Sequence, residues 1–272
     1  MTDAPISPDE VRALVRLLDD PNATVQASVR ERLDELGPEA VPHLLAARDE
    51  ADEALRPLID EAIHDVHFDR VRRAWSLVMG APEVDLERGA FLIAFYRFPD
   101  LDIPAYRAKL DAWAEQARPS VTQAKGVERA FALAAFMCDT LGFSGNDEHY
   151  YDPNNSYLNR VIDTRLGIPI SLSVVYLLLG RRLGLPVYGV NMPAHFLVKH
   201  VDGRGEAYLD LFDGGNYVSK EACVRFLLKA GIKPRPVYFE AAEPRDILLR
   251  MADDLMRLLA PWDPSLEEDD AS

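Results

Sequence analysis

The chain has 272 residues, 48% apolar and 28% charged, with a formal net charge of −15 at pH 7, a size that suits one sizeable core plus a smaller module. The negative balance disfavours nucleic-acid phosphates and anionic lipid surfaces; two cysteines are too few for a secreted disulfide framework or a thiolate metal site, and no apolar run reaches the roughly 18 residues of a membrane span. An acidic start, Met1-Thr-Asp-Ala-Pro, stands where a leader would be basic and apolar, so the expectation is a cytoplasmic protein with reduced thiols, no cofactor and no bound metal.

Ser7-x-x-Glu10 has the form of a capping box and opens a helical face of Val11, Leu14, Val15 and Leu18, which Pro21-Asn22 ends. A second helix carries Val25, Val29 and Leu33 as far as Gly37-Pro38. A shift of 30 residues superposes Val11 on Val41, Leu14 on Leu44, Val25 on Leu55, Val29 on Ile59 and Leu33 on Ile63, which predicts two helical hairpins over 1–66. The runs Leu17–Val25 and Leu36–Leu44 resemble HEAT repeats, a resemblance that implies stacked hairpins with a protein-binding surface. Two repeats leave both ends of the stack uncovered and are expected to dock on the helices beyond residue 66.

Residues 67–141 read as further helix packed on the core: Leu86–Arg97, Tyr106–Gln116 and Val127–Leu141, broken at Pro99, Pro104 and Pro119. The span 142–260 reads as the main domain. It begins with a turn-rich, aromatic loop over 142–168, and Pro169 is then placed as the first residue of an apolar helix, Ile170–Leu183, stopped by Gly184-Leu-Pro186. Strands are predicted at Val187–Asn191, His195–Val201 and Glu206–Phe212, a helix at Lys220–Ala230 and a last helix at Ile247–Leu259, with an acidic, disordered tail over 261–272.

Asp202-Gly203 is a two-residue hairpin signal, and a turn there sets Lys199 opposite Glu206 and His195 opposite Asp210. A carboxylate facing an imidazole can hold one ring nitrogen and leave the other free, the base and orienter of a catalytic triad. The same pair also serves as a plain structural hydrogen bond.

Gly167-Ile-Pro-Ile-Ser-Leu172, Arg181-Arg-Leu-Gly-Leu-Pro186, Met192-Pro-Ala-His-Phe-Leu-Val198, Leu209-Asp-Leu-Phe-Asp-Gly-Gly215 and the upstream Tyr151–Asn159 resemble the bacterial SirB-like proteins of the transglutaminase-like superfamily. The resemblance implies an α+β, papain-like domain with a small antiparallel sheet behind the N-terminal helical repeats. It also implies a triad whose cysteine opens the core helix, fifteen residues before the Gly of the Gly-Leu-Pro motif. Counting back from Gly184 lands on Pro169, while His195 and Asp210 fall on the second and third triad positions.

Proline has neither thiol nor backbone N–H, so the nucleophile is expected to be missing. Ser173 is a weak substitute one turn deeper, and Ser171 points away from that side. Cys138 and Cys223 sit in apolar helical runs and read as inert thiols. Asp147, Glu148, His149 and Asp152 lack metal-site spacing and read as a solvated loop. Tyr150, Tyr151, Asn155 and Ser171 are candidates for the lining of a cleft beside His195. The expected function is a non-catalytic module that binds or scaffolds a protein or peptide partner. The alternative is a hydrolase or acyltransferase that uses His195 and Asp210 with water or a noncanonical nucleophile.

Overall fold

The computed structural model describes residues 6–259 apart from residue 204. The chain divides into two compact units: the residues up to Pro82 with Phe95–Asp100, and Glu83–Ala94 with the chain from Leu101.

The first unit is built from α1 (Pro8–Val15), α2 (Ala23–Leu36), α3 (Val41–Glu50) and α4 (Arg56–Gly80). Asn22 caps α2 by accepting from the Thr24 N–H at 2.9 Å, and Gly37 ends it at φ +67, a conformation that costs any residue with a Cβ. The expected capping box at Ser7 does not form: the Ser7 side chain makes no cap bond, and Glu10 reaches Arg32 of α2 at 2.8 Å instead, a charged partner in place of a backbone N–H. Val11, Val29, Leu33, Val41, Leu44, Ile59 and Ile63 share one apolar core, with Leu14, Val25 and Leu55 packed at its edge. The repeat seen in the sequence thus reflects two helical hairpins burying equivalent faces. The expected break at 66/67 falls inside α4, because Val66 and Val71 continue its buried face and no breaker intervenes before Gly80.

The second unit contains most of α5 (Leu86–Arg97), then α6 (Ile103–Gln123), α7 (Glu128–Ala135) and a π-helical turn at Phe136–Thr140. Pro119, expected to break the chain, lies inside α6. Buried Ala117 and Val121 on either side hold the helix against the core, and Thr122 Oγ1 donates to the Arg118 carbonyl at 2.8 Å within the disturbed turn. The next loop is closed by a parallel pair, β1 (Ser144–Gly145) on β2 (Leu166–Gly167), and carries α8 (Leu158–Thr164). Just before β2, Arg165 adopts φ +65 with its guanidinium 4.2 Å from the centre of the Trp113 ring and 4.9 Å from that of Phe143.

Pro169 is N1 of α9 (Pro169–Arg182), which is buried from Pro169 through Gly180. The Tyr176 hydroxyl donates to the Ala130 carbonyl at 2.8 Å, tying α9 to α7. Gly180 lets the sheet come close: a Cβ there would lie 2.5 Å from Val187. The sheet is antiparallel in chain order, β3 (Val187–Val190), β4 (Leu197–Asp202), β5 (Gly205–Asp210) and β6 (Asn216–Val218), and α10 (Lys220–Lys229) and α11 (Pro244–Leu259) come after it. The register differs from the expected one. Lys199 pairs with Tyr208 and Val201 with Glu206, a slide of two residues, because the hairpin closes on the pair Asp202–Gly205 rather than around Asp202-Gly203. An even slide keeps every side chain on its face. Among the described residues no helix is long and apolar enough to cross a membrane. The tail over 261–272 lies outside the described residues.

Candidate functional site

Asp210 is the last residue of β5, where the chain turns sharply into Leu211–Gly215. Its Oδ1 accepts from the N–H groups of Phe212 at 3.0 Å and Asp213 at 3.2 Å, and its Oδ2 lies 2.6 Å from His195 Nε2. Two backbone donors fix the carboxylate, and the carboxylate fixes the ring. Gly215, at φ +74, donates to the Asp210 carbonyl at 2.7 Å, and a Cβ on it would meet Ala134 at 2.8 Å, so the turn needs glycine there.

His195 reaches Asp210 by a route the hairpin register does not supply. It precedes β4, in a turn where its N–H donates to the Met192 carbonyl at 3.1 Å and Ala194 takes φ +60. Arg250 of α11 clamps that turn, with Nη1 donating to the Asn191 side-chain oxygen, to the Met192 carbonyl at 3.0 Å and to the His195 carbonyl at 3.2 Å. With Nε2 engaged, Nδ1 is the ring nitrogen left for another group. Among the described residues no hydroxyl or thiol hydrogen-bonds to it. The Phe226 ring of α10 packs on the imidazole, centroids 5.6 Å apart.

The structure separates the remaining predicted positions. Pro169 is buried at the start of α9. Ser173 is buried with its hydroxyl unpartnered, and is not bonded to His195. Asn155 and Ser171 do not line an open cleft: both are buried, and Ser171 Oγ donates to the Asn155 carbonyl at 2.6 Å and accepts from the Ile168 N–H at 3.1 Å. The Asn155 side chain in turn donates to the carbonyls of His149 and Tyr150, stapling the loop to the start of α9. Tyr150 and Tyr151 are exposed at the surface; Tyr150 stacks edge-on with Tyr151 and with Phe212, the residue whose N–H holds Asp210. Burial raises the Tyr150 hydroxyl pKa, helped by the charge on Asp254.

Both thiols are held protonated: burial pushes Cys138 up to about 11 and also raises Cys223, with Asp210 adding to the latter. Among the described residues no group of three or more His, Cys, Asp or Glu is placed to hold a metal ion. Sequence reasoning missed Phe212, Phe226 and Arg250. Arg250 gave no local signal, since a charged residue on an amphipathic helix usually faces solvent.

The profile of the transglutaminase-like superfamily matches residues 104–253, more than half of the chain. The chain belongs to the transglutaminase-like superfamily. The matched span runs from α6 into α11 and holds Pro169, His195, Asp210 and Arg250. A UPF0162 protein of Xylella fastidiosa is 41% identical over 133 residues, 48% of this chain and 47% of that protein. A UPF0162 protein of Pseudomonas aeruginosa is 30% identical over 164 residues, 57% of this chain and 60% of that protein. The human F-box only protein 21 is 44% identical over 82 residues, 30% of this chain and 13% of its own length. The chain thus spans about half the length of these two bacterial relatives. No solved structure matches it.

Proposed function

We propose that this chain is a non-catalytic member of its superfamily, a SirB-like pseudoenzyme of the cytoplasm that binds or scaffolds a protein or peptide. In this reading the surface beside His195 and Asp210, rimmed by Tyr150, Tyr151, Phe212 and Phe226, receives the partner, and the N-terminal hairpins act as HEAT-like repeats that add a second contact face. The observation that carries it is Pro169 at N1 of α9, where the family resemblance calls for a cysteine. A helix N-terminus lowers the pKa of a thiol placed there, and proline can supply neither the thiol nor an N–H. The two cysteines present are kept protonated by burial.

The rival reading is a hydrolase or acyltransferase that uses the free Nδ1 of His195 to activate water. One specific observation favours it: the His195–Asp210 hydrogen bond at 2.6 Å is intact. The test is ammonia release from glutamine peptides, with and without an amine acceptor, together with ester hydrolysis. The pseudoenzyme reading expects wild-type protein and His195→Ala to give the same background. Turnover by wild type that disappears in His195→Ala overturns it. Peptides selected by display against the full chain should lose binding in Tyr150→Ala and Phe226→Ala; binding untouched by both removes the partner surface from the proposal.

A further inference from the structure

The loop before α8 holds two tyrosines outside the core on a fixed backbone. Asn155, 3% exposed, donates through its side-chain amide to the carbonyls of His149 at 2.7 Å and Tyr150 at 3.1 Å, and its side-chain oxygen accepts from Asn146 at 2.9 Å. The Asp152 N–H donates to the His149 carbonyl at 3.1 Å, and the Asp152 carboxylate caps the 3₁₀ turn Pro153–Asn155 by accepting from the Asn154 N–H at 2.9 Å. The fold therefore sets this backbone, yet Tyr151 is 77% exposed and Tyr150 38%. Their rings meet edge-on at 5.2 Å, and Tyr150 meets Phe212 at 5.8 Å, a continuous row of three rings from the loop to the turn that holds Asp210. A large ring fixed in the open adds little to the core and suits a binding surface, because little ordering entropy is lost when a partner covers it.

The charge around this row is of one sign. Residues 146–155 and 210–216 carry five carboxylates and no Lys or Arg. Asp210 is committed to His195 and two backbone N–H groups, Asp152 to Asn154, and Asp213 lies 3.3 Å from the Asn216 amide. Asp147 and Glu148 are exposed and, among the described residues, make no hydrogen bond or ion pair. Arg250 is held by the Asn191 side chain, two carbonyls and Asp254. Burial and then Asp254 raise the Tyr150 hydroxyl pKa, against a smaller opposing effect of Arg250. Cations return on α10, where Arg225 and Lys229 neighbour Phe226 in the sequence. The two ends of the surface thus differ, acidic at the tyrosines and basic at Phe226.

We propose that the partner received beside His195 and Asp210 presents an arginine side chain, whose guanidinium lies on the Tyr150 and Tyr151 rings and pairs with Asp147 or Glu148. This rests on the partner-binding reading of that surface and adds the partner's chemistry. The face of an aromatic ring attracts a cation, a guanidinium is weakly hydrated and stacks on such faces, and its planar fork of donors matches a carboxylate. An exposed ion pair alone is worth little, so the rings localise the charge. Lysine brings the same charge as a compact, strongly hydrated ammonium and fits ring and carboxylate together less well.

The full chain, ¹³C-labelled at its tyrosine rings, is titrated with the peptide acetyl-Gly-Arg-Gly-Arg-Gly-amide and with its lysine and citrulline counterparts. The expected result is a saturable shift of the Tyr150 and Tyr151 signals with the arginine peptide, about threefold or more weaker with lysine and absent with citrulline, which keeps the shape and loses the charge. Raising NaCl from about 0.05 to about 0.5 M should weaken the binding. Tyr151→Leu, which keeps apolar area and removes the ring, should weaken it about threefold to fivefold as read on Tyr150, and Asp147→Asn with Glu148→Gln about threefold. All three side chains are exposed, so these variants should melt with the wild type. No saturable shift with the arginine peptide, an equal response to citrulline, or undiminished binding in both variants overturns the arginine assignment. A display-selected peptide that needs Tyr150 and Phe226 but contains no arginine also overturns it, and leaves the partner surface itself standing.

Discussion

His195 and His200 lie on one segment, five residues apart, and the protein treats them in opposite ways. His195 sits just before β4 and is fixed through one ring nitrogen: Asp210 holds Nε2, two backbone N–H groups hold Asp210, and Arg250 holds the turn beneath. His200 sits inside β4 with a carboxylate two residues away, yet its ring faces a hollow left by Ala207 and Gly205. Histidine and aspartate in proximity therefore do not define a site. What surrounds the ring, a fixed carboxylate in one case and small cross-strand side chains in the other, decides whether the imidazole is held by the fold.

The strongest way to break the contrast is to damage what both ends share. Leu209 is fully buried on β5 opposite Val198, and Leu209→Ala should cost about 2–5 kcal/mol of stability in urea unfolding while disturbing both histidines together. A finer cut separates them. Arg250→Ala removes the clamp on the turn and leaves its acceptors bare, a loss of about 1–2 kcal/mol given the partial exposure of that side chain. It should move the His195 ring signals and leave those of His200 in place.

The smallest effect is one of pH. Burial lowers the folded-state pKa of His200 from 6.5, and the same holds for His67 in the first unit. Above pH 6.5 neither folded nor unfolded chain takes up the proton and stability is complete. As pH falls below 6.5 the unfolded chain is protonated first, so stability declines until pH passes the folded-state value. His200→Gln should flatten that decline in denaturant titrations run at a series of pH values; an unchanged slope would mean the His200 ring is not desolvated.

Elements governed by local rules were legible in the sequence. α5 has the bounds that periodicity predicts, Leu86–Arg97, and α9 starts at Pro169 because the missing N–H is harmless at N1. Elements governed by contacts distant in sequence were not. Pro119 stays helical because Ala117 and Val121 are buried, and β6 is a short strand with no alternation that forms only because Gly214 and Gly215 turn it back onto β5. The His195–Asp210 contact was anticipated from a hairpin register that does not occur; it arises from the Asn191–His195 turn and the Arg250 clamp. The space beside His200 was invisible for the same reason, since only the observed register places Ala207 and Gly205 opposite His200 and Asp202.

Arg165 concentrates such a dependence in one residue. Its backbone, at φ +65, has the conformation glycine adopts without strain, while its guanidinium packs against the rings of Trp113 and Phe143 as part of the packing that seats the loop before α9. Backbone and side chain make opposite demands, and the side chain prevails. A stabilisation strategy that ranks positions by backbone angle would place glycine here first and would unseat the loop it meant to relax. The residue is thus a point of sequence rigidity at an address where local geometry alone advertises freedom.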